Sequence, residues 1–142
     1  MNENPDNGYS GPQGCLNRPS HILYLACPYS HPQPHVRRHR HDVANLAAAK
    51  LISRGFVVFS PLSHSHPIAE TGMDGSWETW ERQCLALLDV CSHMLVLTVE
   101  GWGESVGLQA EMDHCQKTGK TVIFSSFDKL DSFSFDRLPV NV

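Results

Sequence analysis

Charge is in short supply in this chain. Asp, Glu, Lys and Arg make up 18% of its 142 residues, and the formal net charge is −4. That balance carries no general attraction to a nucleic acid polymer or an acidic membrane. Long apolar runs are missing as well, and none approaches the roughly 20 residues that cross a bilayer. The opening MNENPDNGYSG lacks the pattern of a signal peptide. Cysteine is odd in number, at five (Cys15, Cys27, Cys84, Cys91, Cys115), and has no framework spacing. A disulfide scaffold is therefore not expected; reduced thiols in a cytoplasm are. What the chain does have is an ordinary apolar fraction of 41%, enough for one core, and nine histidines.

Residues 1–20 are rich in Asn, Gly, Pro and Ser, bury little, and are expected as a flexible tail before a single domain over 21–142. From there apolar strands alternate with helical patterns. HILYLAC (His21–Cys27) reads as a buried strand closed by Pro28. VRRHRHDVANLAAAKLISRG reads as a helix with Val36, Val43, Leu46, Ala47 and Leu51 on one side and Gly55 just beyond its end. FVVFS (Phe56–Ser60) is a second strand, and PLSHSHPIAETGMDGS after it reads as a loop. Trp77–Cys91 has helical spacing, HMLVLTV (His93–Val99) is a third strand, and TVIFSSF (Thr121–Phe127) a fourth. The final KLDSFSFDRLPVNV shows no clear period. The alternation predicts a three-layer α-β-α, flavodoxin-like fold with a parallel sheet of four to five strands. Ligands of such sheets lie beyond the carboxyl ends of the strands, here CPYSHP, SPLSHSHP and EGWGESVG.

Three patterns in those loops carry chemistry. In Ser105-x-Gly107-x-x-x-Glu111 a helix N-terminus offers free N–H groups to an anion, and Glu111 lies on the same face as Gly107. The plainer alternative is an N-cap serine and a solvated glutamate. Tyr24, inside an aliphatic strand, needs a partner for its hydroxyl, either a backbone carbonyl or a site group. Ser30, His31, His64 and His66 are candidates to line a pocket. The His-x-His spacing without Cys-x-x-Cys argues against a metal. HVRRHRHD reads as a solvated helix face from which Arg37 or Arg38 reaches a phosphate only if its first turn faces the site. Trp77, Trp80 and Trp102 either line a pocket for a planar ring or pack in the core.

The ordered set YLACPYSHP, VVFSPLSHSHPIA, W-x-x-W, SVGLQAE and GKTVIF, over about residues 22–126, resembles the nucleoside 2-deoxyribosyltransferase-like superfamily. That superfamily includes 2′-deoxynucleoside 5′-phosphate N-hydrolases; the closer resemblance is to the DUF1937 family. It implies that Glu111 attacks C1′ of a sugar, that Tyr24 holds that carboxylate, and that Ser105 contacts a 5′-phosphate. Gly107, Ser30, His31, His64, His66 and Trp102 are then expected around the substrate. The implied activity is cleavage of the base–sugar bond of a nucleoside 5′-monophosphate or nucleoside. The alternatives are transfer between bases and nucleotide sensing without chemistry. No cofactor or metal is called for, and relatives of this kind commonly pair as homodimers. Two departures stand out. Cys84 occupies the position where the superfamily carries an Asp that assists the leaving base, with Asp89, Glu81 and Asp74 all out of register. Pro28 and Ser30 stand where the hydrolases carry a phosphate-binding Ser and Arg.

Overall fold

The computed structural model of the protein describes residues 21–137; the expected tail over 1–20, and residues 138–142, lie outside the described residues. The elements are β1 (Leu23–Ala26), α1 (Pro34–Ser53), β2 (Val58–Phe59), α2 (Pro61–Ala69), α3 (Trp77–Val90), β3 (His93–Leu97), α4 (Val106–Thr118) and β4 (Thr121–Ser125). Short 3₁₀ turns cover Trp102–Glu104, Asp128–Ser132 and Phe135–Arg137. The four strands form one parallel sheet in the order β2-β1-β3-β4. No described helix is long and apolar enough to cross a membrane.

Side chains alternate across the two central strands, as the period of two requires. Leu23 and Leu25 of β1, with Leu95 and Leu97 of β3, face Ala47, Ala48 and Leu51 of α1 and, from the 3₁₀ segment, Leu130 and Phe133. Tyr24, Ala26, Met94 and Val96 face the other way, against Leu88 of α3 and Leu108 and Cys115 of α4. Both faces are therefore covered, which gives three layers, and the parity of β1 delivers Tyr24 to the α3/α4 side. Each fully buried Leu in these two clusters contributes about 1.5–3 kcal/mol.

The structure departs from the sequence reading at several elements. The outer strand β2 keeps two residues of FVVFS in the ladder, paired as Leu23↔Val58 and Tyr24↔Phe59. The expected loop after it opens instead as helix α2. Ser60 caps α2, its Oγ accepting from Ser63 N at 3.4 Å, and Pro61 occupies the first turn, where a missing N–H costs nothing. Pro67 inside α2 is the residue that hides this helix from a pattern reading. On α1, Leu46 is exposed and Ala44 takes its place in the buried stripe. Gly55 follows the helix end as expected, at φ +93°. In the stretch that showed no period, the described part packs through Leu130 and Phe133.

With β1 connecting outward to β2 on one side and β3 lying on its other side, the chain changes direction between β1 and β3. Loops leaving the carboxyl ends of two such strands diverge and open a crevice. Residues 27–33 and 98–105 are those loops.

Candidate functional site

The crevice holds a narrow inner cavity of about 70 Å³. Tyr24, Cys27, Tyr29 and Ser30 come to it from β1 and its following loop, and Leu62 and Ser65 from α2. Trp77, Trp80 and Cys84 come from α3, and Ser105, Gly107 and Glu111 from the start of α4. An outer cleft of about 540 Å³ adjoins it, sharing Tyr29, Ser30, Gly75 and Ser76 and adding His31, Arg37, Glu70 and Asp74. Pockets for whole small molecules measure about 300–1,000 Å³, so the inner cavity admits only part of such a ligand and the outer cleft takes the rest.

Glu111 sits one turn inside α4, 6% exposed, and forms no ion pair among the described residues. Burial raises its carboxyl from the ordinary 4.5 to about 7, partly offset by the Tyr24 hydroxyl. For Tyr24, burial first and the Glu111 charge second push the phenol well above its usual range. The two groups thus feel each other, yet neither Tyr24 Oη nor Glu111 Oε2 has a hydrogen-bond partner of normal geometry. Buried polar atoms are nearly always satisfied, so these two adjacent atoms without partners single out this cavity as the candidate site. The solvated-glutamate alternative is thereby set aside for Glu111.

The thiols beside it are neutral. Burial and then the Glu111 charge raise Cys84 to about 11, while the Tyr24 hydroxyl works against them. Burial and the same charge raise Cys27 to about 12. None of the three out-of-register carboxylates compensates. Asp89 pairs with His114 at 2.6 Å on the outer side of α3 and α4, and Glu81 is exposed outside the cavity lining. Asp74 reaches the outer cleft but accepts from Ser76 N and Ser76 Oγ, both at 2.9 Å, bonds that hold its carboxyl below the usual range.

At the mouth of α4, Ser105 is the N-cap: its Oγ accepts from Leu108 N at 3.3 Å. A hydroxyl that accepts this bond still has its hydrogen to donate into the cavity, so the cap does not exclude a ligand contact. Gly107 lines the cavity beside Trp77. A Cβ there would lie 3.1 Å from Trp77 Cε3, so the glycine makes room for the indole that walls the cavity. Trp77 and Trp80 are both in the lining. Trp102 is not: it packs toward β4, with its ring 5.6 Å from Phe124.

The histidines scatter. His31 lines the outer cleft, its Nδ1 accepting from Gln33 N at 3.0 Å. His64 is exposed on α2, outside the cavity lining. His66 is buried behind the cavity wall, where its Nδ1 lies 2.7 Å from the Tyr29 hydroxyl. The sequence reading passed over Tyr29, although an aromatic residue just past a strand end in a parallel sheet is a usable signal. Arg37, on the first turn of α1, does face the outer cleft and donates to the His31 carbonyl. Arg40 donates to the carbonyls of Tyr29 (3.3 Å) and Ser30 (2.9 Å) and lies against Gly101, whose φ of +88° and lack of Cβ permit the approach. It ties the two loops of the crevice together. Among the described residues no group of three His, Cys, Asp or Glu side chains is placed to hold a metal ion.

Comparison with known proteins adds one finding to this geometry. No curated protein matches the chain. Residues 21–126 match the family described as a domain of unknown function, DUF1937, a span that contains every strand and helix of the sheet layers and the whole crevice. The chain belongs to the DUF1937 family.

Proposed function

We propose that this protein cleaves the N-glycosidic bond of a nucleoside 5′-monophosphate or nucleoside, with Glu111 as the nucleophile at C1′. The observation that carries the reading is the buried, unpartnered Glu111–Tyr24 pair at the floor of a cavity built at the change of strand direction. Cleavage of such a bond develops positive charge on the sugar ring, and an adjacent carboxylate stabilises it or captures C1′ covalently. Burial raises the Glu111 carboxyl to about 7, and once it is ionised no ion pair with the protein neutralises the charge available for that task. The narrow inner cavity suits a pentose ring against Glu111, and Trp77 and Trp80 offer flat apolar walls to a base. Ser105 and the α4 N-terminus offer donors to an anionic group. The sequence resemblance to the nucleoside 2-deoxyribosyltransferase-like superfamily assigns Glu111, Tyr24 and Ser105 the same roles.

The test incubates the protein with a panel of deoxynucleosides, ribonucleosides and their 5′-monophosphates and separates free base by chromatography. Base release by the wild type and none by Glu111→Gln is the expected result. Release with a second base present, yielding a new nucleoside, would assign transfer instead of hydrolysis. One observation favours a reading without chemistry: the wall beside Glu111 carries the neutral Cys84 thiol in place of an acid. Saturable binding of a monophosphate with no base released would establish that sensor reading and overturn the glycosidase.

A further inference from the structure

Departure of a base from C1′ leaves an electron pair on the base nitrogen, and a proton donor is needed to neutralise it. The donor set of the inner cavity is short. Besides Glu111 its ionisable side chains are Tyr24, Tyr29, Cys27 and Cys84. Tyr24 faces Glu111, and burial beside Glu111 raises both thiols, Cys27 to about 12 and Cys84 to about 11. Tyr29 differs on two counts. It stands where the inner cavity meets the outer cleft, lining both. Its hydroxyl is also held from behind, 2.7 Å from His66 Nδ1, with the two rings edge to face at 5.5 Å.

His66 is fixed on its other sides as well. It is 6% exposed, its ring stacks on His41 at 4.4 Å, and its Nε2 lies 3.6 Å from Glu70 Oε1. An imidazole so enclosed, and absent from the cavity lining, reaches a bound ligand only through Tyr29. Burial first, and then His41, lower the pKa of His66, so it holds the phenol as a neutral ring. The 3.6 Å from Nε2 to Glu70 Oε1 is too long for a hydrogen bond that would keep the hydrogen on that nitrogen; with it on Nδ1 the ring donates to Tyr29 Oη and leaves the phenolic hydrogen free to point into the cavity.

We propose that Tyr29 is the catalytic residue that protonates the departing base, with His66 as its positioning residue. This rests on the N-glycosidic reading above. The step balances as follows. The C1′–N bond breaks as Glu111 bonds to C1′; its electron pair goes to the base, and the base takes the Tyr29 proton. The phenolate is held by His66 Nδ1–H. Water then attacks C1′ and releases Glu111 as the carboxylate. The oxygen of that water stays on the sugar, one hydrogen with it, and the other hydrogen restores the Tyr29 phenol.

The experiment compares two substrates, 2′-deoxyguanosine 5′-monophosphate and its N7-methylated form, whose base leaves neutral without a proton. Tyr29→Phe, which keeps the ring and removes one oxygen, should slow release of guanine by about 10²–10⁴-fold, the usual worth of a general acid. The same variant should leave release of N7-methylguanine little changed. His66→Gln should give a smaller loss with the same selectivity, with melting curves recorded for both variants. Equal losses on the two substrates, or no loss on either, would overturn the assignment while leaving Glu111 as nucleophile. A wild-type protein that releases neither base would overturn both.

Discussion

Replacing Glu111 by Gln should stabilise the protein above neutral pH while removing the proposed base release. The fold raises this carboxyl from 4.5 to about 7, so it disfavours the ionised form. At 1.36 kcal/mol per pH unit the shift corresponds to about 3 kcal/mol. The sign follows from proton binding. Between about pH 4.5 and 7 the native protein holds a proton that the unfolded chain has released. The stabilisation from this group is complete below 4.5 and is lost as pH rises through about 7. Gln cannot ionise, so the variant lacks this slope. Thermal or denaturant unfolding of both proteins from pH 4.5 to 9 should give curves that nearly coincide at the acid end. They should separate by about 3 kcal/mol at the alkaline end, equivalent to roughly 10 °C in Tm for a domain of this size. Other titrating groups act on both proteins alike and cancel in the difference. Parallel curves across the range would refute the claim that Glu111 is held buried and unpartnered.

Three further outcomes are expected. The kcat/KM for base release should rise with pH through about 7 in the wild type, because the nucleophile must be ionised; a profile flat from pH 5.5 to 8.5 would remove Glu111 from that role. Ser105→Ala should weaken 5′-monophosphates relative to free nucleosides by about ten- to a hundredfold, the worth of a charge-assisted hydrogen bond of about 1.5–3 kcal/mol. Ser105→Asp should turn the preference toward the free nucleoside, and an unmoved ratio of efficiencies would leave Ser105 as a cap alone. Cys84→Asp should move the pH–rate midpoint upward, since a second carboxylate beside Glu111 disfavours its ionisation; a large gain in rate instead would show that this helix position, and not Tyr29, supplies the proton.

How far the site was legible depended on the range of the interactions that build it. The strand character of HILYLAC and the one-turn offset of Glu111 from Gly107 are local, and both were read from the chain. Trp77 against Gly107 joins the starts of two different helices, and no spacing in the sequence announces it. The same holds for Tyr29 with His66, 37 positions apart. His64 and His66 looked equivalent in a segment taken for a loop. Once α2 forms, two residues of separation on a helix put them on different sides, one to solvent and one inward. The helix itself was hidden because Pro67 lowers the local propensity. Ser60 as cap and the packing of α2 over α1 and β1 offset that loss.

The same distinction explains why the crevice tolerates an unsatisfied carboxylate at all. Both core clusters draw on β1 and β3, the two strands that have a neighbour on either side in the sheet and whose central residues are fully buried. Tyr24 stays in that ladder and Glu111 on α4, while Tyr29 and Ser30 stand just past the end of β1, on a loop that Arg40 clamps through their carbonyls and by its contact with Gly101. Stability is thus concentrated in the strands, and the penalty at Glu111 falls on a cavity that the ladder does not need. A bound ligand that offers donors to Glu111 Oε2 and Tyr24 Oη would relieve the penalty at the moment of binding, so the energy withheld from the folded protein reappears as affinity and as a charge ready at C1′.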